Sequence, residues 1–160
     1  MMKQQLRALA LTGLGAVLTM SAARAEDGGF VGRWHWNAKA STAVQGEPVP
    51  SEVTTTIVNA EPGHVKWTVH IVDHRGQPRT EAYDGPADGQ PRAIEGAGDG
   101  TMGAFTLAAG VLRATFHGPK GETDTLSCVV APDQKSLRCD GMLRDAQGHT
   151  ETYLDVYDRL

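Results

Sequence analysis

Two cysteines on either side of a turn constrain the fold of this chain more than any other feature. Cys128 and Cys139 are the only cysteines among the 160 residues, and each lies in a short run of strand-favouring residues. The segment between the runs, residues 131–135, contains Pro and Asp, which form turns. If Cys128 lies opposite Cys139, then Val130 faces Leu137 and a two-residue turn closes the hairpin. Because cross-strand neighbours have Cβ atoms about 4.5–5.5 Å apart, the sequence predicts one disulfide across a β-hairpin.

The N-terminal segment has the three parts of a secretory signal. Lys3 and Arg7 supply the positive start, residues 9–20 the apolar middle, and Ala23-Arg24-Ala25 the cleavage site. The apolar run is short for a spanning helix, which needs about 20 residues. The sequence therefore predicts a signal peptide over 1–25, with a retained anchor as the alternative.

Removal of this peptide leaves 26–160 as a single domain, in the periplasm or secreted from the cell. Disulfides persist in those compartments, which favours a bond over two free thiols or a pair of metal ligands. The 15 basic side chains fall to 12 without Lys3, Arg7 and Arg24, against 19 acidic ones, for a formal charge of −7. Nucleic acid is therefore excluded as a partner, because phosphate binding requires a basic face. We expect no membrane span in the mature chain.

Strict alternation of apolar and polar residues predicts strands through the rest of the chain. Trp34 and Trp36 share one face of the first strand, and the run from Val65 to Asp73 alternates most regularly. No window of ten residues or more shows a helical repeat. These patterns predict an all-β fold, a single antiparallel up-and-down β-barrel of about eight to ten strands. A β-sandwich is the alternative, with its crossovers in loops 38–52 and 84–103.

The opening of the first strand resembles the lipocalin-like barrels. Gly32-Arg33-Trp34 matches the Gly-x-Trp signature of lipocalins, and the pattern from Gly32 to a final Asp155-Val156-Tyr157-Asp158 is similar to a group of small exported bacterial proteins without an established activity. The resemblance implies that Trp34 plugs the closed end of the barrel, that Gly32 is structural, and that an arginine, Arg159 or Arg144, covers the Trp.

The polar residues indicate no catalytic or metal site. His70 and His74 are four apart, which on a strand separates them by about 13 Å at 3.3 Å per residue. Five aspartates stand beside turn glycines or in turns, where we expect them to cap the backbone: Asp73, Asp84, Asp88, Asp99 and Asp145. We accordingly predict no cofactor and no metal, and an enzymatic role rests on fold-level analogy alone.

The aromatic residues are the strongest indication of function. They are spread over separate strands, so a barrel would gather several of them inside, either as simple core or as the lining of a cavity for one small ligand. The cavity candidates are Trp36, Trp67, Tyr83, Phe105, Phe116 and Tyr153. The favoured interpretation is an exported non-enzymatic binding protein for a small apolar or amphipathic molecule. The alternative is a module that binds a protein partner in the cell envelope, for example an inhibitor of an exported hydrolase, through its loops.

Overall fold

The computed structural model describes residues 28–160, and the predicted signal peptide lies outside them. The described chain forms ten β-strands and no helix, which confirms the all-β prediction. The strands are β1 Gly32–Trp36, β2 Glu52–Glu61, β3 His64–Val72, β4 Pro78–Pro86, β5 Arg92–Ala93, β6 Met102–Ala108, β7 Val111–His117, β8 Thr123–Val130, β9 Ser136–Arg144 and β10 Thr150–Arg159. In this part of the chain there is thus no helix that could cross a membrane.

All ten strands belong to one antiparallel sheet in the order β4-β3-β2-β1-β10-β9-β8-β7-β6-β5. Every hairpin pairs neighbours in sequence, and the first strand pairs with the last. The two edges of the sheet meet, because Ala82 of β4 and Glu95 after β5 exchange backbone hydrogen bonds of 2.9 and 3.0 Å. Across the same junction the rings of Tyr83 and Phe105 lie 4.5 Å apart. The up-and-down barrel is therefore confirmed in preference to the sandwich.

The disulfide between Cys128 and Cys139 is formed, and the two residues lie directly opposite each other. The pairing of Val130 with Leu137 also matches the predicted register. The turn differs from the prediction. The last bond of the ladder runs from the Ala131 N–H to the Ser136 carbonyl, so four residues rather than two form the turn. Pro132 has no N–H to donate to a longer ladder, and Gln134 adopts a positive φ of 58° that ends the turn.

The inner face of the barrel differs between its two ends. At the end that carries the turns 62–63, 109–110 and 131–135, large apolar side chains are fully buried. We call this the closed end; it contains Phe30, Trp34, Ile57, Ala60, Val65, Leu107 and Leu137. Toward the opposite end, inward-facing residues are only half-buried. We call this the open half; it contains Val53, Thr55, Val69, Ile71, Phe116, Asp124, Leu126, Leu143, Tyr153 and Asp155.

Inward orientation follows from the register, because residues directly opposite each other on antiparallel strands share a face. The fully buried Trp34 marks the inner face of β1 and lies opposite Thr55. On the other side of the barrel Phe105 is opposite Ala114, which is opposite Leu126. The alternation that the sequence predicts for β1 and β3 therefore places their tryptophans inside.

Candidate functional site

Trp34 and Arg159 seal the closed end. Trp34 is fully buried and its Nε1–H donates to the Phe30 carbonyl at 2.8 Å. The guanidinium carbon of Arg159 lies 4.1 Å from the centroid of the Trp34 ring, within the range of a cation–π contact. Arg144 is paired with Thr123 and Thr150 on the outer face, so Arg159 is the arginine that covers the tryptophan.

Arg159, on β10, also binds the N-terminal segment 29–31 and the turn between β8 and β9. Its Nε donates to the Gln134 carbonyl at 2.6 Å, Nη1 to Val31 at 2.9 Å and Nη2 to Gly29 at 2.6 Å. Gly32 makes room for this guanidinium, because a Cβ at that position would collide with Nη1, and its φ of +149° is one that other residues rarely adopt. At the closed end Gly32, Trp34 and Arg159 are therefore in close mutual contact.

Four of the six cavity candidates form one continuous aromatic cluster. Trp67 packs on Tyr83 with ring centroids 6.4 Å apart and meets the edge of Phe105 at 5.8 Å. Tyr83 lies 4.5 Å from Phe105, which in turn meets Phe116 at 5.9 Å. Trp67, Tyr83 and Phe105 are buried, whereas Phe116 is half-buried and faces the open half. The cluster thus joins β3, β4, β6 and β7.

A pocket opens beside this cluster, where the two edges of the sheet meet. Beyond the bridge of Ala82 and Glu95 the strands β4 and β5 separate and leave a space of about 460 Å³. We call it the seam pocket. Trp67 and Tyr83 supply its aromatic lining, and Lys66, Asp84, Arg92 and Glu95 supply charged groups. The seam pocket therefore offers both apolar and charged surface to one molecule.

The charged groups of the seam pocket are held by ion pairs. Asp84 accepts from Lys66 at 2.8 Å and from His64 at 2.9 Å, and the contact with Lys66 is the main reason that its pKa is lowered. Arg92 binds Asp88 through both guanidinium nitrogens at 2.6 and 2.8 Å and holds the pKa of that carboxyl at about 2. All these groups are well exposed, so the pairs position side chains more than they stabilise the fold.

The other two cavity candidates lie on the inner face and contact carboxylates. The Tyr153 hydroxyl is 2.7 Å from each oxygen of Asp124, and the Trp36 Nε1–H donates to Asp155 at 2.8 Å. Burial raises the pKa of both carboxyls, and the charge of Asp155 raises that of Asp124 further. Gly141 lies opposite Tyr153, and a Cβ there would collide with the phenol ring.

Asp124 and Asp155 are the residues that the sequence analysis missed. The expectation that aspartates cap turns is correct for Asp73, Asp88 and Asp145, whose carboxylates accept backbone N–H groups two residues ahead. It is wrong for Asp84, which lies within β4 and pairs with side chains on β3. A signal for Asp155 was present, because it falls between Tyr153 and Tyr157 at the period of two that defines one face of a strand.

A search of residues 28–160 finds no group of three His, Cys, Asp or Glu side chains that could hold a metal ion. The histidines lie instead on the outer face or in turns. His35 and His70 approach the hydroxyls of Thr54 and Thr80 at 3.5 and 3.3 Å. These contacts explain the histidines as solvated surface residues.

Two solved structures are similar to the chain over most of its length. A mutant of the fluorescent protein UnaG superposes with a TM-score of 0.55 at 15% identity, over 82% of this chain and 96% of that one. The protein EF1p2_mFAP2b, bound to DFHBI, superposes with a TM-score of 0.50 at 7% identity, over 84% of this chain and 97% of that one. No protein-family model and no curated protein matches the chain. Identities this low show a shared fold, which agrees with the lipocalin-like barrel that the first strand predicts.

Proposed function

We propose that this chain is an exported, non-enzymatic binding protein that holds a small apolar or amphipathic molecule. The seam pocket is the observation that carries the proposal. Its volume of about 460 Å³ falls in the range of small-molecule sites, roughly 300–1,000 Å³. Trp67 and Tyr83, both largely buried, are among its lining residues, and Lys66 and Arg92 supply charged groups.

The aromatic cluster extends this site into the barrel. Tyr83 lines the seam pocket and is also in contact with Phe105, which leads to Phe116 and the open half. We therefore propose that a ligand lies against the side chains of the aromatic cluster. We propose Trp67, Tyr83, Phe105 and Phe116 as its apolar contacts, with Trp36 and Tyr153 on the opposite wall.

The solved structures support the use of such a barrel for binding. EF1p2_mFAP2b is bound to the small molecule DFHBI and has the same overall fold. Export is supported by the signal-like residues 1–25 and by the disulfide, since disulfides persist outside the cytoplasm. Both points favour a carrier or receptor of a small molecule in the periplasm or outside the cell.

A dye titration with a blocked pocket tests the proposal. Nile red, a neutral apolar dye, should bind the purified protein saturably, with a blue shift of its emission. Ala93 is exposed and lines the seam pocket, so Ala93→Trp should fill the space and weaken binding by about tenfold, or ~1.4 kcal/mol. Ala108→Trp is the matched control, because Ala108 is equally exposed at the end of β6 and does not line the pocket.

Two outcomes would contradict the proposal. Dye emission that rises without saturation would indicate nonspecific association. Equal affinity in both variants would mean that the dye does not use the seam pocket. Native mass spectrometry of the protein purified without detergent gives an independent check, because a co-purified ligand adds mass that disappears on denaturation.

A further inference from the structure

Two acidic side chains lie on the inner face of β8 and β10, and we call this surface the acidic wall. Asp124 lies directly opposite Phe116 on the inner face, so the cluster and the carboxylate are neighbours. Asp155 is on the inner face of β10, opposite Cys139 and two residues from Tyr153. The acidic wall therefore adjoins the aromatic cluster inside the barrel.

Neither carboxylate is paired with a basic side chain within residues 28–160. Asp124 is held by the Tyr153 hydroxyl alone, and Asp155 uses one oxygen for Trp36 and leaves the second without a partner in this part of the chain. The inward-facing arginines are engaged elsewhere. Arg159 is bound to three carbonyls at the closed end, Arg79 pairs with Glu81 at 2.9 Å, and Arg92, opposite Gly103, pairs with Asp88 at 2.6 Å.

A third group points to the same space. Tyr157 lies opposite Trp36 and Leu137, deep inside the barrel, and burial raises the pKa of its hydroxyl far above the usual range. Yet its hydroxyl makes no hydrogen bond to any residue from 28 to 160. The side chain also keeps a partly water-accessible surface. Because Tyr157 faces inward, that surface lines internal space, and its hydroxyl can donate to or accept from a molecule that enters there.

We propose that the ligand of this barrel is a cationic amphiphile, whose protonated amine binds between Asp155, Asp124 and Tyr157 and whose apolar body lies on the aromatic cluster. This inference rests on the proposed binding function and names the class of molecule bound. An ammonium group carries three N–H donors and no acceptor. It matches two carboxylates and a free hydroxyl, and its charge compensates carboxylates that are unfavourable when they are buried without a counterion.

A fatty acid fits the same wall poorly. Its carboxylate would approach two groups of like charge, which costs free energy in a water-poor interior. A neutral alcohol would gain the apolar contacts alone. An amine, an alcohol and a carboxylate with the same alkyl chain therefore distinguish two contributions to affinity. Binding to the acidic wall depends on the head group, whereas the general affinity of a barrel for apolar chains does not.

The test compares decylamine, decanol and decanoate by isothermal titration calorimetry on the purified protein, each below its micelle concentration and at neutral pH. Charge-assisted hydrogen bonds should make decylamine bind at least about tenfold more tightly than decanol. Decanoate should bind more weakly than decanol. In Asp155→Asn the amide can still accept from Trp36, and the advantage of the amine over the alcohol should fall to within about threefold.

Asp140→Asn is the matched control. Asp140 is the residue next to Cys139 on the outer face of β9 and pairs with Arg138 at 2.7 Å, so its loss removes the same charge from outside the barrel. The amine preference should remain unchanged in this variant.

Three results would overturn the inference. Equal binding of decylamine and decanol by the wild-type protein would leave the binding function intact and remove the amine specificity. Tighter binding of decanoate would reverse the sign of the selectivity. Failure of all three ligands to bind would overturn this inference. If Nile red also failed to bind, the proposed binding function would be contradicted as well. The comparison of ligands on the wild-type protein needs no variant, so a folding defect in Asp155→Asn would not obscure the result.

Discussion

The closed end and the open half are built by the same strands and the same alternation, yet their interiors differ. At the closed end Trp34 fills the space, its indole N–H has a partner, and Arg159 covers the ring. In the open half the inner face carries the half-buried carboxylates Asp124 and Asp155. One end of this barrel is therefore closely packed, whereas the inner face of the other end carries half-buried polar groups.

The largest expected effect separates the two regions directly. Trp34→Ala should lower the free energy of unfolding by about 3–5 kcal/mol, because it leaves a large cavity in a fully buried region. Phe116→Ala should cost only about 1–2 kcal/mol, because Phe116 is half-buried and faces accessible space. Urea denaturation followed by circular dichroism measures both. Equal losses would remove the distinction between the two ends.

The disulfide tests the hairpin of β8 and β9, whose turn lies at the closed end. Replacing both cysteines, Cys128→Ser with Cys139→Ser, should lower the free energy of unfolding by about 2–3 kcal/mol, since the bond constrains a short loop of the unfolded chain. Reduction of the wild-type protein should give the same loss in the same assay. A variant as stable as the oxidised wild type would show that the backbone hydrogen bonds between β8 and β9 maintain the hairpin without the disulfide.

The smallest expected effect is on how stability depends on pH. The dependence should have opposite signs for Asp155, whose pKa is raised, and for Asp88, whose pKa is lowered. Burial raises the pKa of Asp155 above its ordinary value of 3.8, so its contribution to stability is greatest below that pH and is lost as the pH rises through the raised pKa. Asp155→Asn should therefore gain in melting temperature relative to wild type as the pH rises from about 3.5 to about 8.

Asp88→Asn is the control for this prediction. Its pKa is lowered to about 2 by Arg92, so this carboxylate stabilises the protein above pH 3.8 and the contribution is lost as the pH falls through about 2. The variant should thus be less stable than wild type near neutral pH. Two melting curves that shift in the same direction with pH would contradict the assignment of Asp155 to a desolvated interior.

The strands of the barrel could be predicted because their signals are local. Trp34 and Trp36 alternate with exposed residues, and the two cysteines specify one register of one hairpin. Residues 84–103 are rich in glycine and carry little periodic signal, and they form only the two-residue strand β5. The aromatic residues were correctly predicted to be inside, since alternation alone decides which face a side chain takes.

The seam pocket and the acidic wall could not be predicted in the same way. The pocket lies where β4 and the residue Glu95, after β5, meet at one bridge, a long-range contact that no local pattern encodes. Asp124 and Asp155 break the rule that inward positions are apolar, and a polar residue in a strand is ordinarily assigned to the outer face. Their position becomes clear only when the register places them opposite Phe116 and Cys139.

The contact of Arg159 with Val31 has a consequence for how the chain reaches this structure. The two residues are 128 positions apart in sequence. In the sheet, β1 pairs with β2 on one side and with β10, the last strand, on the other. Until residue 159 has been synthesised, Trp34 has no cover and the barrel has an unpaired edge. Contacts this distant in sequence are formed late and slow the folding reaction. We therefore expect a nascent chain that stays open and unfolded for most of its synthesis, the condition in which a polypeptide can be threaded through a translocation channel.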